Sequence, residues 1–159
     1  KAALPMAARR TEGRRTATEL AWEFQTRGAR LLVVRSSAEG GSELWLVAPD
    51  GAGARPLVTA ADGIAEVAAA PDGARAVYTE LRGVSRSALM LVDLASGETR
   101  ALVDDERASA SAPAWSALGD FIAFERRAVS AGGLGVPRVW LAQPDGTLLG
   151  SLIGGDGSD

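Results

Sequence analysis

Short runs of apolar residues, many alternating with polar ones, fill the chain from Leu20 onward, and turns rich in Gly, Pro and Asp separate them. In "AAPDGARAVYT", residues 69–79, small apolar residues lead into a Pro-Asp-Gly corner, and alternating apolar positions follow it. A period of two indicates a strand with one buried face, and Asp-Gly supplies the positive φ that a tight hairpin requires. The pattern therefore predicts antiparallel hairpins.

The same pattern occurs three times at intervals of about 45 residues. Residues 24–34, 69–79 and 115–125 align at the glycines Gly28, Gly73 and Gly119. A second hairpin follows in each unit, with its own turn glycine and then an apolar pair: Gly51 and Leu57-Val58, Gly97 and Leu102-Val103, Gly146 and Leu152-Ile153. Four strands in about 45 residues are typical of a β-propeller blade. We therefore predict an all-β fold of three four-stranded antiparallel meander blades, at about residues 20–58, 65–103 and 112–153, forming an open or partial propeller.

Two segments also carry a family resemblance. "APDGARAVY" and "APAWSALGDFIAF" resemble the TolB-type WD-like propeller repeat, and the likeness extends over about Leu20 to Ile153. The first unit departs from it, with Gln25-Thr26-Arg27-Gly28 in place of a Ser-Pro-Asp-Gly corner, and the second has Ala69 where the repeat prefers Trp. The resemblance implies export to the bacterial periplasm and association with an envelope or membrane complex.

Composition excludes several kinds of chemistry. The 159 residues include no Cys and no His, which removes disulfides, thiolate or imidazole catalysis, and metal sites built on those residues. Without His, serines such as Ser85, Ser87 and Ser130 have no partner for a hydrolase triad. The net charge of −3 argues against nucleic-acid binding, and no apolar run approaches the roughly 20 residues of a spanning helix. We predict no cofactor, no metal and no catalytic residue.

Residues 1–19 form a separate basic segment, with five basic residues against two acidic ones. We interpret it as a solvated arm or linker; the alternative is a tether that contacts an acidic partner or anionic lipid headgroups. Because the sequence begins with Lys1 and not Met, we expect an upstream export signal, membrane anchor or larger domain. The candidate contact residues in this segment are Arg9, Arg10, Arg14 and Arg15.

Other conspicuous residues have structural interpretations. Trp45, Met90 and Trp140 fall at equivalent positions of the three units, so we expect these residues, with Trp22 and Trp115, to pack between blades. We expect Asp50, Asp72 and Asp145 to cap their own turns. The glycine-rich segment 129–137 lacks the Gly-Lys-Ser/Thr ending of a phosphate-binding loop and reads as a hairpin loop, with 81–87 as its counterpart. Such loops often contact partners. The candidates in them are Arg82, Arg86 and Leu134.

Three blades leave one apolar face of the first and one of the last without a neighbouring blade. The preferred hypothesis is a non-catalytic scaffold or accessory subunit that binds other proteins through these faces and loops, with self-association as a further alternative. The rival hypothesis is the propeller of a larger enzyme, such as a prolyl-oligopeptidase-like peptidase, with its catalytic domain outside these residues. Ligand binding in a central funnel requires a closed ring.

Overall fold

A computed structural model describes residues 20–22, 30–37 and 40–153. These residues form strands and turns only, in three antiparallel sheets. The first sheet contains β1 (Leu20–Trp22), β2 (Leu31–Ser36), β3 (Ser42–Val47) and β4 (Arg55–Ala60). The second contains β5 (Ile64–Ala69), β6 (Arg75–Arg82), β7 (Arg86–Asp93) and β8 (Thr99–Val103). The third contains β9 (Ala108–Trp115), β10 (Ile122–Ser130), β11 (Gly133–Leu134), β12 (Arg138–Ala142) and β13 (Leu148–Ile153).

In each sheet four strands form a meander, as the sequence predicts: β1 to β4, β5 to β8, and β9, β10, β12 and β13. Because Ala108, Ser109 and Ala110 are small residues that are all buried, no large apolar side chain marks this strand start, and the third sheet begins at Ala108, earlier than the predicted residue 112. It also has the two-residue strand β11 inside the glycine-rich loop, where Val129 pairs with Leu134. Residues 1–19, with their four candidate arginines, and the turn at Gly28 lie outside the described residues.

The core consists of two layers, one on each face of the second sheet. Toward the first sheet, Ala76, Tyr78 and Val92 pack in a cluster with Leu32 and Leu44. Toward the third sheet, the same strands present Val77, Leu89 and Leu91, which pack with Ile122 and Phe124. Consecutive residues of β6 and β7 thus enter opposite layers, as the strand period of two requires. The three sheets are stacked face to face, with the second in the middle.

Candidate protein-binding surface

The strand pairing identifies the equivalent face in each of the three sheets. Val33 pairs with Trp45 in the first sheet, Tyr78 with Met90 in the second, and Phe124 with Trp140 in the third. The second and third pairs both face the preceding sheet, where Tyr78 and Phe124 are buried and Met90 and Trp140 pack on the core clusters. We call this side of a sheet its leading face and the opposite side its trailing face.

Of the four tryptophans predicted to pack between blades, Trp115 and Trp140 are seen to do so. Trp140 and Trp115 pack against the cluster between the second and third sheets, and the Trp115 indole N–H donates to the carbonyl of Ala68 at 3.0 Å. Trp45 lies on the leading face of the first sheet, with the Arg35 guanidinium 4.7 Å from its ring centre. The side chain of Trp22 is outside the described part of the chain.

An arginine joins each sheet to the next through a contact that the sequence analysis missed. Arg55, at the start of β4, donates hydrogen bonds to the carbonyls of Leu94 and Ala95, in the β7–β8 turn of the second sheet. Arg100, in β8, donates to the carbonyls of Pro144 and Asp145, in the β12–β13 turn of the third sheet. We call this the arginine contact.

The two arginines occupy the same register position. Arg55 pairs with Leu46 and Arg100 pairs with Leu91, and the strands read Arg-Pro-Leu-Val and Arg-Ala-Leu-Val. In the third sheet the residue opposite Leu141 is Gly150, and that strand reads Gly-Ser-Leu-Ile. An alignment of the three fourth strands would therefore have revealed the contact from sequence alone.

The third sheet and its loops carry most of the large apolar side chains that are exposed among the described residues, including Leu152 on its trailing side. Leu57 packs on the first core cluster and Leu102 is 6% exposed, whereas their equivalent in β13, Leu152, is 57% exposed. Of the large apolar side chains that are exposed, those belonging to the third sheet or its loops are Leu118, Phe121, Leu134, Val136, Val139, Leu148, Leu149 and Leu152. β13 is also an edge strand of its sheet, and Leu148 to Ile153 includes no charged residue. Such an edge pairs readily with other chains.

The candidate contact residues from the sequence separate into two places. Arg82 and Arg86 lie at the hairpin end of β6 and β7, where Arg82 pairs with Glu80 at 2.8 Å and Arg86 with Asp104 at 3.2 Å. Leu134 is 45% exposed and lies on the third sheet, beside the apolar surface described above. The structure therefore does not bring Arg82 and Arg86 together with Leu134 by any described contact, and their role as partner contacts stays a prediction.

The corner aspartates cap their turns as predicted. Asp50, Asp72 and Asp145 each accept a hydrogen bond from the backbone N–H two residues later, at 2.8 to 2.9 Å. The bond from Ala74 lowers the pKa of Asp72, and the bond from Thr147 lowers that of Asp145. Burial raises the pKa of Tyr78, whose hydroxyl lies 3.5 Å from a Glu80 oxygen in the first core layer. These perturbed groups belong to turns and core packing.

An open groove of about 510 Å³ runs between β5 and β9, lined mainly by apolar residues that include Val67, Pro113 and Trp115. The described residues include no cluster of three or more Asp and Glu side chains that could hold a metal ion. They also include no helix that could cross a membrane.

Ser87 is buried, and its hydroxyl is hydrogen-bonded to the Ser109 hydroxyl and to the carbonyl of Ala110, both at 2.7 Å. This side chain therefore joins the second and third sheets.

Comparison with known proteins identifies the fold. No family model and no curated protein sequence matches this chain. Among solved structures, TolB from Acinetobacter baumannii is similar with a TM-score of 0.63 at 20% identity, over 82% of this chain and 32% of that one. A TolB structure from Agrobacterium tumefaciens gives a TM-score of 0.62 at 19% identity, over 80% of this chain and 43% of that one. A prolyl endopeptidase gives 0.64 at 18% identity, over 88% of this chain and 20% of that one.

The chain thus spans less than half of each of these proteins, and at these identities the likeness concerns the fold. The chain has a TolB-like β-propeller fold of three blades, which confirms the architecture that the sequence predicts.

Proposed function

We propose that this chain is a non-catalytic scaffold that binds another protein through the trailing side of its third sheet. One observation carries the proposal: positions that are buried where a blade follows, such as Leu102, are exposed at the third sheet, as at Leu152. Exposed contiguous apolar surface of this kind marks protein interaction sites. The TolB-like fold is compatible with such a role, although a fold does not fix a function.

The proposed binding site combines two features. Val139 and Leu152 offer exposed apolar side chains whose burial against a partner lowers the free energy. The outer edge of β13 offers backbone N–H and C=O groups that can pair with a strand of the partner. The partner is therefore expected to present an apolar surface with an extended segment at its border. Export to the periplasm and contact of residues 1–19 with anionic lipid are further parts of this proposal, and they rest on the sequence resemblance and the arginines.

The test compares two double variants of the full protein in the cells that make it. Val139→Asp with Leu152→Asp places charge on the proposed surface, whereas Val84→Asp with Leu118→Asp places it on exposed apolar residues of two hairpin turns. Native mass spectrometry of the purified protein should show a hetero-complex for the wild type and the control, and its loss for the first variant. A wild-type protein without any partner, or equal loss in both variants, would contradict the proposal.

The likeness to a prolyl endopeptidase supports a second candidate function, the propeller of a larger peptidase. In that case the partner of the exposed surface would be another part of the same polypeptide. The intact mass of the natural protein separates the two candidates. A longer chain with a Gly-x-Ser-x-Gly segment, an Asp and a His would favour the peptidase.

A further inference from the structure

The leading face of the first sheet repeats the features of two interfaces that the structure contains. Val47 occupies the register position of Val92 and Ala142, since each lies two residues after Trp45, Met90 or Trp140. Val92 and Ala142 are 0% exposed because a preceding sheet covers them, whereas Val47 is only partly buried. Among the described sheets, the second packs on the opposite, trailing face of the first. The leading face is therefore built as one half of a blade interface.

The turn at Gly51 has the geometry that receives an arginine contact. Carbonyls of Leu94 and Ala95 accept from Arg55, and those of Pro144 and Asp145 accept from Arg100. The equivalent carbonyls of the first sheet belong to Pro49 and Asp50. In each turn the two carbonyls belong to the residues that directly follow the acceptor of the turn glycine's backbone N–H, which is Asp93 for Gly97, Gln143 for Gly146 and Ala48 for Gly51.

The turn glycines give a second, independent indication that the first sheet can receive a preceding blade. A Cβ on Gly97 would come within 3.5 Å of the carbonyl oxygen of Leu57, and one on Gly146 within 3.3 Å of that of Leu102. Both glycines thus allow a preceding fourth strand to approach closely. Gly51 has a similar φ of 80°, yet a Cβ there would meet nothing within 4 Å. The site has the shape of an interface whose neighbouring strand is not among the described residues.

We propose that the leading face of the first sheet binds a propeller blade whose fourth strand reads Arg, any residue, then two aliphatic residues. The arginine would donate to the carbonyls of Pro49 and Asp50, and the blade would cover Val33, Trp45 and Val47. A second copy of this chain does not fit, because Arg55 and Arg100 already bind the following turns and the free trailing face of the third sheet has Gly150 at this position. The occupant is therefore a blade that the described residues do not supply.

This inference goes beyond the proposed function, which concerns the opposite end of the stack. To test it, a photoreactive alkyl-diazirine amino acid close to leucine in size replaces Val47 in the full protein, produced in the cells that make it. Val84, on an exposed hairpin turn, receives the same residue as the matched control. After irradiation, mass spectrometry identifies the peptide joined to each position.

The expected result is a cross-link at position 47, with none at position 84, to a peptide in which an arginine precedes two aliphatic residues by two and three positions. Trp45→Ala should lower its yield roughly tenfold or more, since a central Trp of an interface is a typical hot spot. Three results would overturn the proposal: a cross-link to residues 1–19 or 148–153 of this chain, a cross-link to a peptide without that pattern, or none at position 47. A diazirine at Leu152 reports on the proposed function separately, so either idea can fail while the other stands.

Discussion

The second and third sheets have the same strand order but very different surroundings. Both faces of the second sheet are covered. Val92 faces the first sheet, Val77 and Leu89 face the third, and all three residues are 0% exposed. The third sheet packs on one side only, and its last strand leaves Leu149 47% and Leu152 57% exposed. Similar apolar content therefore serves the chain's own stability in one sheet and is available to a partner in the other.

The largest effect is expected in the middle sheet. Leu89→Ala should lower the free energy of unfolding by about 2–5 kcal/mol, because it removes buried methyl groups and leaves a cavity. The matched control, Leu149→Ala, should change it by no more than about 0.5 kcal/mol, since surface substitutions have small effects. Urea denaturation monitored by Trp fluorescence measures both. Similar losses in the two variants would show that the third sheet is as well covered as the second.

Two arginine–tryptophan pairs sharpen the comparison between a covered and an uncovered leading face. Arg126 lies 4.8 Å from the Trp140 ring centre, bonds Asp105 and is 24% exposed, whereas Arg35 is 4.7 Å from the Trp45 ring centre and 50% exposed. Cation–π attraction is stronger when the cation is shielded from water. Arg126→Ala should therefore cost about 1–2 kcal/mol and Arg35→Ala about 0.5 kcal/mol in the chain alone.

The same denaturation assay measures this pair of variants. Equal losses would mean that the second sheet contributes nothing to the Arg126 site. When a partner covers the first sheet, as we propose, the cost of Arg35→Ala should rise toward that of Arg126→Ala.

The arginine contact between sheets gives a smaller effect. Arg55→Ala should cost about 1 kcal/mol, because the bonds are charge-assisted but partly exposed to water. Arg55→Lys should recover only part of this, since both bonds leave the far terminal nitrogen of the guanidinium and the shorter lysine side chain does not carry its ammonium group as far. Thermal unfolding of the three proteins ranks them. A lysine variant as stable as the wild type would show that charge alone matters at this position.

The repeat and the hairpin corners could be predicted from sequence because they depend on local chemistry. Turns such as Asp72-Gly73 and Asp145-Gly146 need a capping carboxylate and a positive φ, and both requirements are visible in the residues themselves. The start of the third sheet at Ala108 was missed because Ala108, Ser109 and Ala110 are small and all buried, so the segment lacks the large apolar or β-branched residues that favour strands.

The proposed binding surfaces depend on which face of a sheet is covered by another sheet. The local pattern of apolar and polar residues does not show this. Leu102 and Leu152 look alike in sequence, yet Leu102 is buried in the cluster with the third sheet, whereas no described sheet covers Leu152. The arginine contact was within reach, since Arg55 and Arg100 recur at one position. It was missed because an arginine near a turn is usually interpreted as a solvent-exposed charge.

Acid should destabilise the second and third sheets alike, because their turns are capped by the same kind of local bond. Backbone N–H groups, Ser96 first, hold the pKa of Asp93 below its ordinary value of 3.8, and the bond from Thr147 does the same for Asp145. A folded-state pKa below the unfolded one means that this stabilisation is fully present above pH 3.8 and is lost as the pH falls through the folded value. Each contribution is small since both carboxylates are exposed to water.

The Asp93→Asn variant should therefore unfold at a lower urea concentration than the wild type at neutral pH, and the two urea midpoints should converge as the pH drops below 3.8. Midpoints that stay a constant distance apart would show that Asp93 acts through its shape and not through its charge.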